Sequence, residues 1–298
     1  MKITPLYDLR DVYFEYTHGK GNSLLDLIRS AVISELKVGV EGLMLTRQCR
    51  VVYILWLFIL FCGAAVFAAP AWSDNTVDNT LYAELLEKYV RDGVVDYQGF
   101  KNEEAKLDRY LKVLEDTDPK ALPRDERFAF YVNAYNAWTI KLILSAYPDI
   151  QSIKDLGSLF RSPWKKKIAR IDGNVITLDT IEHEILRPRF KDPRIHFVVN
   201  CASKSCPPLR SEPYRGDVLD RQLTEMTEAF INDPEHNRLQ GKTLYVSSIF
   251  KWYSEDFNED IVGFFTRYAR GELRENLVKS AGVIEVEYLD YDWSLNGK

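Results

Sequence analysis

The sequence predicts an α+β fold: a single domain of helices packed on a small, mostly antiparallel sheet, preceded by an N-terminal signal peptide or membrane anchor. Two patterns carry this expectation. Apolar residues recur at helical spacing in several separate stretches, and short β-rich runs lie between turn residues. Composition agrees. A chain of 298 residues with 46% hydrophobic and 28% charged residues is near the globular average, which excludes collagen-like, low-complexity and wholly disordered chains.

The elements follow in order. Leu81, Leu85, Leu86, Tyr89 and Val90 mark a first helix, which Arg91-Asp92-Gly93 breaks before a short Val94–Tyr97 strand. Phe100, Leu107, Tyr110, Leu111 and Leu114 mark a second, ended by Asp118-Pro119. Phe128, Tyr131, Tyr135, Trp138 and Leu142 form one stripe of a long central helix that must stop before Pro148. Ala169 to Leu178 reads as a hairpin turning at Asp172-Gly173-Asn174. Asp179, with Glu182 at the capping-box position, opens a short helix from Thr180 to Arg187 that Pro188 stops. The run Ile195–Asn200 is apolar enough to predict a central buried strand, with the loop Cys201–Pro208 at its carboxyl end. A helix over Asp217–Asn232, a strand at Leu244–Val246, a helix over Ile261–Ala269 and a last strand over Val283–Leu289 complete the plan.

Upstream, Val51 to Ser73 contains no charged residue. It begins with bulky apolar side chains behind Arg47 and Arg50 and ends at Ala69-Pro70-Ala71, the layout of a signal peptide. The competing expectation is an uncleaved anchor, inner-membrane bound with the domain facing the periplasm. Residues 44–71 are therefore expected to export the domain at 79–298 to the periplasm or beyond. Residues 1–43 precede Met44 and read as an upstream mis-start or a short extension.

The net charge of −5 comes from 39 basic and 44 acidic residues with their signs interspersed, so no nucleic-acid partner is expected. Membrane contact is expected only through the N-terminal segment. Neither a phosphate-binding Gly-rich loop, nor a nucleophile-elbow serine, nor a His-Glu-x-x-His helix occurs, and the expectation is no cofactor and no metal.

Five blocks appear in order: Tyr131–Ala137, Ile181–Arg187, Asp192–Phe197, Asn200–Leu209, and Ile249–Tyr253 followed by Asp256-Phe257. They resemble the domain of unknown function 547 family across about Arg124 to Phe257. The resemblance implies a domain of bacterial, often exported, proteins and some eukaryotic ones, with Asn-Cys-x-x-x-Ser-Cys-Pro as its hallmark. It implies no activity.

Chemistry is expected at Cys201, which sits in a loop with Lys204, Ser205 and Cys206 where a thiolate can be exposed and stabilised. A nucleophilic thiol needs a base. His196 is close in sequence, but in an extended strand its five-residue offset turns it to the opposite face, ~16 Å away. His183 therefore ranks above it. Asn133 and Asn136 share one face of an apolar helix, where as buried amides they either orient a catalytic group or bind the backbone of the Cys loop. Trp252 and Tyr253, with Phe250 and Phe257, either line a groove or fill the core. Three functions remain open. One is a thiol-dependent hydrolase or acyltransferase on peptide or amide bonds, with an unknown peptide, protein or cell-envelope substrate. The others are a non-enzymatic envelope binding module stapled by a Cys201–Cys206 disulfide, and a thiol-disulfide redox protein.

Overall fold

The computed structural model describes residues 75–158, 161–280 and 282–297. The signal-peptide or anchor segment and residues 1–43 lie outside the described residues. Among the described residues no helix is long and apolar enough to cross a membrane.

Residues 80–116 form α1 (Thr80–Tyr89), the β1–β2 ladder (Val90–Arg91 with Val94–Val95), α2 (Tyr97–Asn102) and α3 (Glu104–Asp116). The Val94–Tyr97 strand is thus cut to two residues, because Asp96 accepts from the Gly99 N–H and starts α2 at Tyr97. The central helix α4 runs from Arg124 to Leu144. Its burial corrects the single-stripe expectation: Phe128 to Ile140 are all buried, so neighbours cover every face. Each large side chain buried there contributes about 1.5–3 kcal/mol of transfer free energy.

The hairpin forms as β3 (Lys167–Ile171) and β4 (Asn174–Thr177). The segment Thr180–Leu186 is a π-helix that continues into α5 (Arg187–Phe190). Two expectations fail here. Asp179 makes no side-chain cap, the Thr180 N–H donating to Thr177 Oγ1 instead, and Pro188 does not stop the helical run, which continues through Phe190.

The largest correction concerns Ile195–Asn200, which is no strand. Pro193–Phe197 is a 3₁₀-helix, capped by Asp192 accepting from the Arg194 N–H, and the chain turns at Val198. The run is apolar because it is buried on all sides, a property that strands and buried helical turns share. Beyond it come α6 (Leu219–Ile231), β5 (Arg238–Gln240), β6 (Thr243–Val246), α7 (Ile249–Trp252), α8 (Ile261–Tyr268), α9 (Gly271–Lys279) and β7 (Glu285–Tyr288). Among the described residues three small sheets stand in place of one, all antiparallel except for the β6–β7 pair, which is parallel.

Among the described residues two apolar clusters hold the fold. The larger surrounds α4; the smaller joins Phe197, Phe250, Phe257, Phe264 and Phe265 beside the three-stranded sheet. Residues 193–206 run between them. The C-terminal stretch then folds back onto this segment: the Lys204 N–H donates to Ser294 O at 2.9 Å, Ser205 N–H to Asp292 O at 3.2 Å and Asn296 N–H to Ala202 O at 3.2 Å.

Candidate functional site

A cavity of about 240 Å³ opens where these pieces meet, and its lining includes Cys201, Cys206, His183, His196, Glu182 and Tyr253. The 3₁₀ turn is the local cause. At ~2.0 Å rise per residue it contracts the path that a strand would stretch, so His196 and Cys201 line one cavity instead of pointing apart. Without a strand His196 does not turn away from Cys201, so nothing ranks His183 above it as the base.

Cys201 is half-buried and follows a fixed backbone. Asn136, on α4, donates from Nδ2 to Val198 O at 2.9 Å and accepts at Oδ1 from the Asn200 N–H at 2.8 Å. Asn200 in turn donates to Pro207 O and accepts from the Ala202 N–H, closing the loop on itself. Ala202 is held at φ +62°, a left-handed conformation that costs a residue with a Cβ about 1–2 kcal/mol. Strain directly after a candidate nucleophile is a feature that functional sites concentrate. Asn133 has the same chemistry elsewhere: it exchanges hydrogen bonds with the backbone of Tyr214, away from the cavity lining.

Cys201 Sγ lies 3.0 Å from Ser203 Oγ and 3.3 Å from the Tyr291 hydroxyl. The Cys201 N–H donates to Cys206 Sγ at 2.9 Å, and both cysteines are free thiols. The Cys206 thiol, then the Ser203 and Tyr291 donors, outweigh burial and lower the Cys201 pKa to about 7. Burial, reinforced by the neighbouring Cys201 charge, pushes Cys206 well above its ordinary value. Cys201 is thus the thiol that ionises first. Neither imidazole hydrogen-bonds its sulfur in this structure.

The imidazoles are joined by an ion pair. Arg187 donates from Nε to Asp256 Oδ2 at 2.6 Å and from Nη2 to Oδ1 at 3.1 Å. Its Nη1 donates to His183 Nδ1 at 3.2 Å, while Asp256 Oδ2 takes His196 Nε2 at 2.6 Å. These partners decide the tautomers. His183, accepting at Nδ1 from a guanidinium, keeps its proton on Nε2 and is a donor; His196 donates from Nε2 and keeps a lone pair on Nδ1. Tyr253 stacks on His196 with ring centroids 4.0 Å apart and donates to Glu182 Oε1 at 2.8 Å.

The expected aromatic cluster divides. Phe250 and Phe257 enter the core, whereas Trp252, 47% exposed, and Tyr253 line the cavity with Trp164, Tyr291 and Trp293. Lys204 and Ser205 do not line it: the Lys204 side chain is exposed and the Ser205 hydroxyl accepts from the Asp292 N–H. Asp256, Arg187, Glu182 and Tyr291 are the participants that residue patterns alone did not single out. Asp256 had a signal, its place three residues after Tyr253 in a recognisable block; Tyr291 had none. Among the described residues no group of three His, Cys, Asp or Glu side chains is placed to hold a metal ion.

No curated protein and no solved structure matches this chain. Residues 119–231, the segment that carries Cys201, Cys206, His183 and His196, match the family described as "Protein of unknown function, DUF547".

Proposed function

We propose that the protein is an exported thiol-dependent hydrolase or acyltransferase acting on amide or ester bonds of a peptide, protein or cell-envelope substrate. The observation that carries this reading is the joint placement of Cys201, the readily ionised thiol, and His196, held by Asp256, in one cavity. His196 Nδ1 takes the Cys201 proton as Sγ bonds the carbonyl carbon, then delivers it to the leaving amine as the C–N bond breaks. Water next attacks the thioester with His196 as base, releasing the acid and restoring the thiol. Another acceptor in place of water makes the enzyme a transferase. The backbone N–H groups of Cys201 and Ala202 are already committed, and the Tyr291 hydroxyl, 3.3 Å from Cys201 Sγ, is the donor assigned to the developing oxyanion. Export rests on the uncharged 51–73 segment.

The test is acylation by p-nitrophenyl acetate, followed by peptide mass spectrometry. The expected result is an acetyl group on Cys201 that turns over in the wild type, persists in His196→Ala, and is absent in Cys201→Ala. Acylation confined to Cys206 or to lysines would refute it.

A second reading, a thiol-disulfide redox protein, is favoured by the opposite shifts of the two neighbouring thiols. It predicts a reversible two-electron potential in a glutathione titration and no thioester.

A further inference from the structure

Glu182 is 6% exposed, lines the cavity, and receives one hydrogen bond, from the Tyr253 hydroxyl. Asp179, one helical turn earlier, lines it too; among the described residues His183 Nε2 lies 3.9 Å from its Oδ1. No Lys or Arg among the described residues lies within 4 Å of either carboxylate. Arg187, the cation of the neighbouring network, is fully engaged by Asp256, Glu255 and His183. A carboxylate taken this far from water without a cation is costly unless a ligand supplies one. Another wall of the cavity is aromatic: Trp252 and Trp293 stack at 5.6 Å, Tyr291 and Trp293 lie 4.4 Å apart, and Lys154 sits over the Trp293 ring at 3.8 Å. At about 240 Å³ the space suits an aminoacyl-sized group and falls short of a typical drug-sized site.

We propose that the cavity selects acyl substrates bearing a primary ammonium group, seated between the Glu182 and Asp179 carboxylates, with the rest of the acyl chain against the Trp252–Trp293 wall. This rests on the thiol-enzyme reading and names its substrate class. Glu182 has a second effect: through Tyr253 it braces the ring stacked on His196. Glu182→Gln keeps an oxygen to accept from Tyr253 and removes only the charge, so the two roles separate.

The test needs no known substrate. Full-length protein is treated with methyl, aminoethyl and sulfonatoethyl methanethiosulfonate, and modification of Cys201 is followed by peptide mass spectrometry. In each case the thiolate attacks the sulfenyl sulfur, forms a mixed disulfide and expels methanesulfinate. Expected is a cation-to-anion rate ratio at Cys201 about tenfold or more above that of free mercaptoethanol, from the concentrating effect of the two carboxylates. It should fall at least about threefold in Glu182→Gln and in Asp179→Asn, and stay unchanged in Glu184→Gln, an exposed carboxylate on the same helix. A ratio equal to mercaptoethanol's, or one that neither substitution lowers, overturns the ammonium proposal alone. Failure of the neutral methyl reagent to modify Cys201 overturns the thiol reading, and this proposal with it. Should Glu182→Gln fail to fold, the half-buried Asp179→Asn carries the comparison.

Discussion

His196 Nε2 lies 2.6 Å from Asp256 Oδ2, and the same carboxylate is clamped from its other side by Arg187. Burial pushes this carboxyl up, but the hydrogen bonds from His196 and Arg187 and the Arg187 charge outweigh it and hold it well below its ordinary 3.8. A depressed carboxyl pKa stabilises the fold fully above the ordinary value and loses that contribution as pH falls through the depressed one. Asp256→Asn should therefore cost about 1–3 kcal/mol in urea unfolding at neutral pH, with the difference from wild type shrinking in strong acid. A nitrogen-detected NMR spectrum should show the Nε2–H tautomer of His196 in the wild type and a mixture in the variant. An unchanged tautomer would remove Asp256 as the orienting group.

The Cys201 thiolate is stabilised by groups that substitution can remove one at a time. Because its pKa is lowered from 9.0 to about 7, its alkylation by iodoacetamide should rise with pH through a midpoint near 7. Ser203→Ala and Tyr291→Phe should each move that midpoint upward, by about half a unit to one unit. A wild-type midpoint at the free-thiol value would contradict the stabilisation that the Cys206, Ser203 and Tyr291 contacts supply.

The two buried asparagines make opposite predictions about the site. Asn136→Ala strands Val198 O and the Asn200 N–H, so it should cost about 2–5 kcal/mol and raise the Cys201 alkylation midpoint. Asn133→Ala strands the Tyr214 backbone, should destabilise comparably, and should leave the midpoint where it was. Equal shifts in the two variants would show that loss of stability alone, and not loss of the loop's anchor, moves the thiol.

The C-terminal return holds the Cys loop from outside. Ending the chain after Asp290 removes the acceptors for the Lys204 and Ser205 N–H groups and takes away Tyr291. Hydrogen exchange at those two amides should accelerate by about tenfold or more while the α4 amides stay protected. Slow exchange at Lys204 in the truncated chain would mean that the loop is rigid without this brace.

Much of this protein was determined by local sequence. The helices at 80–89, 104–116 and 219–231 and the hairpin after Lys167 all follow from periodicity and turn chemistry, because those signals are short-range. Asn133 and Asn136 announce themselves in the same way, as amides on an apolar helix that must find partners. Tertiary structure decided the rest. Periodicity cannot separate a buried strand from a buried 3₁₀ turn, so the fate of Ile195–Asn200, and with it the meeting of His196 and Cys201 at one cavity, depended on contacts with α4 and the phenylalanine cluster. Asp256 and Tyr291 reach the site from 60 and 90 residues away in the chain. Carboxylates and tyrosines are commonplace on any surface; these two matter because the fold brings them to an imidazole and a thiol, and no spacing rule encodes such long-range packing.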